Sequence, residues 1–239
     1  MKDIFGTALL DYYRGNYSED ITTETSISDE DVLPLPYLFR SFDEMPLLEQ
    51  RALQEARGSV LDIGCGAGSH ALYLQQKGIE VTAIDVSPGA VEVAQLRGVN
   101  QVLHGDALQL KNKKFDTLLA LMNGAGILET LDKASKNLQR LMRLLKPDGQ
   151  LLVDSSDLRY MYDQGEDGGI WVPADRYYGE LDYTISYKGM QEQPFPWLYL
   201  DPIRFQGLCE DNQLRFELIE EGDHFDYLAR ITAPERNRA

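Results

Sequence analysis

The chemistry legible in this chain sits in a few glycines and carboxylates. Gly64, Gly66 and Gly68 alternate with Cys65 and Ala67 behind Asp62. Alternate glycines strip the β-carbons from one side of a turn, so a ligand can approach the backbone to van der Waals distance. A glycine-rich turn without a ligand is the plainer alternative. Asp85 follows about 20 residues past the first glycine, where a carboxylate's two acceptor oxygens match two adjacent hydroxyl donors such as those of a ribose. Capping the next helix would occupy it equally well. His70, His104 and His224 could each act as a base, yet each stands isolated, and isolated histidines are more often surface or capping residues. Cys65 falls at a helix N-terminus, but no partner marks it as a nucleophile and it reads as a small loop filler. Cys65 and Cys209 are the only cysteines, too few for a disulfide framework or a cysteine zinc site, and no metal is expected.

Alternating strands and helices must place these groups. The apolar run Val60 to Ile63 reads as a strand breaking into the glycine turn, and Ser69 to Lys77 as a helix that Gly78 ends as a left-handed cap. Glu80 to Ile84 is a second strand ending at Asp85. Ser87 then offers an N-cap and Pro88 a first helical residue, with Gly98 closing that helix. Gln101 to His104 runs as a strand into Gly105-Asp106-Ala107, where Asp106 could simply bond its own turn. Phe115 to Met122 reads as a central strand covered on both faces and ends at Asn123-Gly124-Ala125-Gly126. From Asp132 to Lys146 a helix carries Leu138, Leu141, Leu144 and Leu145 on one stripe, and Lys146-Pro147-Asp148-Gly149 turns it into a strand over Gln150 to Asp154. Asp201 to Asn212 can form a last helix. Arg215 to Glu220 and Phe225 to Thr232 form a hairpin turning at Glu221-Gly222-Asp223.

A dinucleotide fingerprint would carry its third glycine at position 69, which is Ser69 here; this argues against a nicotinamide oxidoreductase. The D-x-G-x-G-x-G spacing from Asp62 to Gly68 resembles motif I of the class I S-adenosylmethionine-dependent methyltransferases. The helix-KPDG-strand pattern is similar to that family's too, so the likeness covers residues 59 to about 156 and the final hairpin. It implies an α/β fold: a doubly wound, Rossmann-like, seven-stranded sheet with an antiparallel last strand, a helical N-terminal cap, and inserted antiparallel strands after the fifth strand. It also implies S-adenosylmethionine as cofactor and S-adenosylhomocysteine as product. The cofactor-binding set would be Asp62, Gly64, Cys65, Gly66, Ala67, Gly68, Asp85, Val86, Asp106, Ala107 and Asn123, with Asp106 accepting from the adenine amine. A cofactor-sensing regulatory module without catalysis remains the alternative function.

The likeness has limits. The branch that methylates DNA bases carries an Asp/Asn/Ser-Pro-Pro-aromatic motif where this chain has Asn123-Gly124, so adenine or cytosine methylation is not expected. Metal dependence of the catechol type would need carboxylates at the ends of the fourth and fifth strands, and Asp154 with Asp157 supplies one side only. No catalytic base is assigned. On the acceptor side the candidates are Tyr13, Arg40, Asn123, Asp157 and Tyr178.

The chain has 239 residues, 43% of them hydrophobic, enough for one large α/β domain. We divide it into an N-terminal cap (1–57), a cofactor-binding half (58–156), an insert (157–200) and a last helix with hairpin (201–232). The Ser/Thr-rich acidic stretch from Glu19 to Asp31 reads as a mobile loop. In the insert, Leu181, Tyr183, Ile185 and Tyr187 alternate with Asp182, Thr184 and Ser186, the pattern of a half-buried antiparallel strand. Eleven of the 13 tyrosines lie in residues 1–58 or 157–200, which makes these flanks the walls of an expected small-molecule acceptor pocket. A formal charge of −16 opposes the counterion release that nucleic-acid binding depends on, so no nucleic-acid partner is expected. There is no run of 18 apolar residues, hence no membrane partner, and with only two cysteines a cytoplasmic setting is expected. The oligomeric state stays open.

Overall fold

The computed structural model describes residues 3–162, 171–172, 174 and 176–234. The rest of the expected insert, residues 163–170, 173 and 175, lies outside the described residues. The chain opens with α1 (Ile4–Tyr13), β1 (Ile21–Thr25), β2 (Ser28–Leu33), the single turn α2 (Leu35–Leu38) and α3 (Leu47–Glu55). Next come β3 (Ser59–Ile63), α4 (Ser69–Gln76), β4 (Glu80–Asp85), α5 (Pro88–Leu96), β5 (Val102–His104), β6 (Phe115–Ala120), α6 (Leu131–Met142) and β7 (Leu145–Ser156). The last elements are β8 (Glu180–Tyr187), β9 (Met190–Gln191), β10 (Phe195–Leu198), α7 (Pro202–Asp211), β11 (Arg215–Glu221) and β12 (Asp226–Thr232).

Seven strands form one sheet in the order β11-β12-β7-β6-β3-β4-β5. The pairs β3–β4, β3–β6, β4–β5 and β6–β7 are parallel, whereas β12 is antiparallel to both of its neighbours. This is the doubly wound, Rossmann-like sheet with an antiparallel last strand that the resemblance implies. Leu61, Leu118, Leu119 and Leu152 are fully buried, which is the requirement for central strands covered on both faces. The punctuation works as its chemistry dictates: Ser87 caps α5 by accepting from the Ala90 N–H, Pro88 leads the helix, and Gly78 and Gly98 take positive φ after α4 and α5. Asp201 caps α7 from the Arg204 N–H.

A second sheet runs β10-β8-β1-β2, with β9 paired to β8. It overturns the expectation of a mobile loop over Glu19 to Asp31. Ile21 is fully buried and Thr23 nearly so, a period-two face with the acidic residues of β2 turned to solvent. The Thr25 and Ser28 hydroxyls lie 2.7 Å apart across the hairpin turn. What fixes the hairpin is its partner: β1 pairs antiparallel with β8, Thr25 opposite Tyr183. A second difference lies at Lys146-Pro147-Asp148-Gly149. The helix stops at Met142, and these residues bulge into the start of β7, with Asp148 at φ 64°.

Helix α1 is held against α5 at short range. A β-carbon on Gly89 would stand 2.6 Å from Gly6 Cα, so α1 and α5 cross backbone to backbone. Asp3 accepts from the Gly6 N–H at 2.9 Å and from the Gly89 N–H at 2.7 Å, serving both helix starts with one carboxylate. No helix among the described residues is long and apolar enough to cross a membrane.

Candidate functional site

The turn after β3 carries three glycines at positive φ: Gly64 at 69°, Gly66 at 52° and Gly68 at 82°. They serve two purposes. A β-carbon on Gly64 would meet nothing within 4 Å, and one on Gly66 only Phe5 Cζ at 3.9 Å, so this face of the turn is open. On Gly68 it would stand 2.9 Å from Val99 Cγ2 and 3.2 Å from Ala94 Cβ, so that glycine lets the turn pack on α5 and the residues after it. Asp85 ties the turn to the second strand end: its Oδ2 accepts from the Gly66 N–H and its Oδ1 from the Ser87 N–H, each at 2.9 Å. Burial pushes its carboxyl above the usual range, against those N–H groups. The binding and capping readings of Asp85 are therefore compatible, since each oxygen keeps a second lone pair. Asp106 bonds its own turn, accepting from the Leu108 N–H at 2.8 Å and from Gln109 Nε2 at 3.0 Å. Between the two stands exposed Val86, while Ala107 and Cys65 are buried. Burial drives the Cys65 thiol far above its ordinary range, which fits a loop filler.

Beneath the turn lies a buried charged network. Arg40 and Glu49 form an ion pair, and His70 Nε2 lies 2.7 Å from Glu49 Oε2. All three side chains are buried. Burial pushes Glu49 up, but the His70 hydrogen bond and the His70 and Arg40 charges hold it below its ordinary value. His70 responds in kind: burial pushes it down, and the Glu49 bond with the Asp62 charge lifts it above. Asp62 is 2% exposed, with its carboxyl raised by burial, and its Oδ2 has no partner among the described residues. Arg40 Nε is likewise buried and unpartnered.

At the ends of β6 and β7, Met122 and Asn123 both take left-handed backbone, φ 66° and 58°. Two successive non-glycine residues there carry strain. Asp154 pins them: its Oδ2 accepts from the Asn123 N–H at 3.0 Å and its Oδ1 from the Gly124 N–H at 2.8 Å. Burial pushes the Asp154 carboxyl up to about 6, against the pull of those two N–H groups. Ser156 Oγ donates to Asn123 Oδ1 at 2.8 Å.

The second sheet stands over this edge. A β-carbon on Gly126 would lie 2.0 Å from Trp197 Cε2, so the indole of β10 rests directly on the turn after Asn123. The Asp154 charge also acts on the Tyr37 and Tyr199 hydroxyls, both raised chiefly by burial. Asp157 accepts from Tyr178 OH at 3.0 Å and pairs with Arg159; despite burial these bonds hold it below its ordinary value. Tyr178 OH also reaches Asp201 Oδ2 at 2.9 Å.

Of the acceptor-side candidates, Arg40 joins the network under the glycine turn, Asn123 the end of β6, and Asp157 and Tyr178 one cluster beyond β7. Tyr13 is not brought to them. Its hydroxyl donates to the Leu96 carbonyl at the C-terminal end of α5, the end remote from Asp85. Sequence reasoning passed over Glu49 and considered Asp154 only as a metal ligand. It read His70 as isolated, which the structure corrects: His70 is buried against Glu49, a partnership that has no spacing signature. Asp154 did have a signal: like Asp85 it closes an apolar strand run. Among the described residues no cluster of potential metal ligands occurs.

Residues 61–153 match a family profile described as a methyltransferase domain. Over nearly its whole length the chain resembles a solved S-adenosylmethionine-dependent methyltransferase from Bacteroides fragilis, in complex with S-adenosylhomocysteine. The two are 44% identical, with a TM-score of 0.90, over 97% of this chain and 95% of that one. A putative methyltransferase, YqeM of Bacillus subtilis, is 29% identical over 135 residues, 54% of this chain and 52% of its own length. A tRNA U34 carboxymethyltransferase of Idiomarina loihiensis is 28% identical over 131 residues, 49% of this chain and 37% of its own. The match thus spans about half or less of these two curated relatives.

Proposed function

The chain belongs to the S-adenosylmethionine-dependent methyltransferases, and on that premise we propose that it transfers a methyl group to a small molecule held between the N-terminal cap and the insert. One observation carries the reading: strands from both flanks, β1 and β2 with β8 to β10, build a single sheet. The Trp197 indole of that sheet rests on Gly126, in the turn after Asn123.

The residues present fit the cofactor. The methionyl end of S-adenosylmethionine carries an ammonium and a carboxylate, and beside the open turn stand a buried acceptor, Asp62 Oδ2, and a buried donor, Arg40 Nε, neither with a partner among the described residues. In this reading Asp62 takes the ammonium and Arg40 the carboxylate. Gly64 and Gly66 leave room for the chain between, Asp85 takes the ribose diol, and Asp106 the adenine amine. The cofactor supplies a carbon already activated by a sulfonium, so the protein contributes chiefly alignment, worth roughly 7 to 11 kcal/mol in favourable cases. Where the acceptor must lose a proton, Asp154 is a carboxylate whose raised proton affinity suits a base.

The acceptor class follows from the walls. Tyr37, Trp197 and Tyr199 offer aromatic faces, and Asp154, Asp157 and Asp201 are acidic. A formal charge of −16 makes a polyanion such as the tRNA named for one relative a poor fit. The test incubates the protein with labelled S-adenosylmethionine and separated cell fractions. Label passing to the small-molecule fraction supports the reading, and label passing to RNA or protein alone rejects it.

A further inference from the structure

We propose that Glu49 is a positioning residue of the cofactor site, holding Arg40 and His70 on one buried carboxylate so that the N-terminal cap presents Arg40 to the amino-acid end of the cofactor. The inference rests on the reading above that Arg40 meets the cofactor carboxylate.

A guanidinium is planar and its five donors are fixed relative to one another. Two of its three nitrogens are committed inside the cap: Arg40 Nη2 donates to both oxygens of Glu49, and Nη1 donates to the Tyr37 carbonyl at 2.5 Å. The Tyr37 ring stacks against it, 3.8 Å from centroid to guanidinium carbon. With those two nitrogens pinned, the direction of the unpartnered Nε is no longer free. Glu49 is therefore the group that aims it.

The same carboxylate reaches across to the cofactor half. His70 is the second residue of α4, the helix that the glycine turn leads into, and its Nε2 lies 2.7 Å from Glu49 Oε2. Arg97 reinforces the join: its Nη1 donates to the Ala67 carbonyl at 2.7 Å and its Nη2 to the Phe39 carbonyl at 3.2 Å. Glu49 thus bridges the segment that carries Arg40 and the helix that follows β3, the strand that carries Asp62, fixing the spacing between the two groups assigned to the ammonium and the carboxylate of one zwitterion. Removing it would also leave Arg40 buried without its counter-charge.

The test compares two ligands by calorimetry on the full chain. S-adenosylhomocysteine carries the amino-acid end; 5′-methylthioadenosine shares the adenosine and thioether but lacks the ammonium and carboxylate. Glu49→Gln is expected to weaken S-adenosylhomocysteine by about tenfold or more, the scale of a hydrogen bond to a charged group, while 5′-methylthioadenosine changes by less than about twofold. A generally loosened fold would weaken both alike. Glu49→Asp keeps the charge on a shorter arm and shows the same selective loss in smaller measure, which secures the test should Glu49→Gln not fold. Combining Glu49→Gln with Arg40→Met costs no more than Arg40→Met alone. Equal losses for the two ligands, or no loss, in the Glu49 variants overturn the proposal. If Arg40→Met itself shows no selective loss, the reading of Arg40 falls first; if Arg40→Met is selective and Glu49→Gln is not, only the role of Glu49 falls.

Discussion

Gly66 and Gly68 share a positive φ and differ in what surrounds them. The space over Gly66 is open save for Phe5, so a branched side chain there intrudes on the ligand and not on the core. Gly66→Val is expected to abolish S-adenosylhomocysteine binding in calorimetry, with strain of about 1 to 3 kcal/mol as its cost to folding; normal binding by a folded variant would show that the turn is not the site. Asp154 gives a pH signature. Unfolded, an aspartate titrates near its ordinary value of 3.8, and folded this one titrates at about 6. Between those limits the folded state binds more protons, so stability present below about pH 4 is lost as the pH rises through about 6, on the order of 3 kcal/mol in all. Urea unfolding from pH 4 to pH 7 should show that slope diminished in Asp154→Asn. The shape of the glycine turn and the place of Asp85 at the end of β4 were legible because glycines and strand ends are set by nearby residues. The Arg40–Glu49–His70 network was not, because its members come from separate elements joined only by the fold.

Local rules placed the strands and helices of the large sheet, since caps and breakers act within a few residues: Ser87 and Pro88 start α5 and Asp201 starts α7. They failed where a distant partner decides. Residues 21–33 have a loop's composition and become strands because β8 supplies the hydrogen bonds and buries Ile21. The period-two signal in Leu181 to Tyr187 identified β8 without revealing what it pairs with. The contact between β10 and the turn after β6 is the other junction of this kind. Gly126→Ala would drive a methyl into the Trp197 indole, an overpacking that costs about 1 to 3 kcal/mol. We expect lowered urea stability with S-adenosylhomocysteine affinity retained, and Trp197→Leu in the same chain should recover part of the loss. An unchanged midpoint would mean that the indole moves aside freely.

At the scale of the whole molecule, the cap sheet closes the chain on itself. Thr25 lies opposite Tyr183, and β3 to β7 of the large sheet are threaded between them. Contacts so distant in sequence are intrinsically slow to form, because loop closure must be met before the pairing rewards it. In refolding, far-UV dichroism should therefore recover ahead of Trp197 emission, read in a Trp171→Phe background; simultaneous recovery would show that the cap sheet forms with the main sheet. The same topology bears on synthesis. The β1–β2 hairpin leaves the ribosome ahead of β8 and waits for that third strand while, at about 5 to 20 residues per second, more than a hundred further residues are made. Throughout that interval it presents open edges that could template aggregation. Asp29, Glu30 and Asp31 are exposed along β2, so the acidic run that made the segment look like a loop also guards the β2 edge, which stays at the end of the sheet after β8 has covered β1.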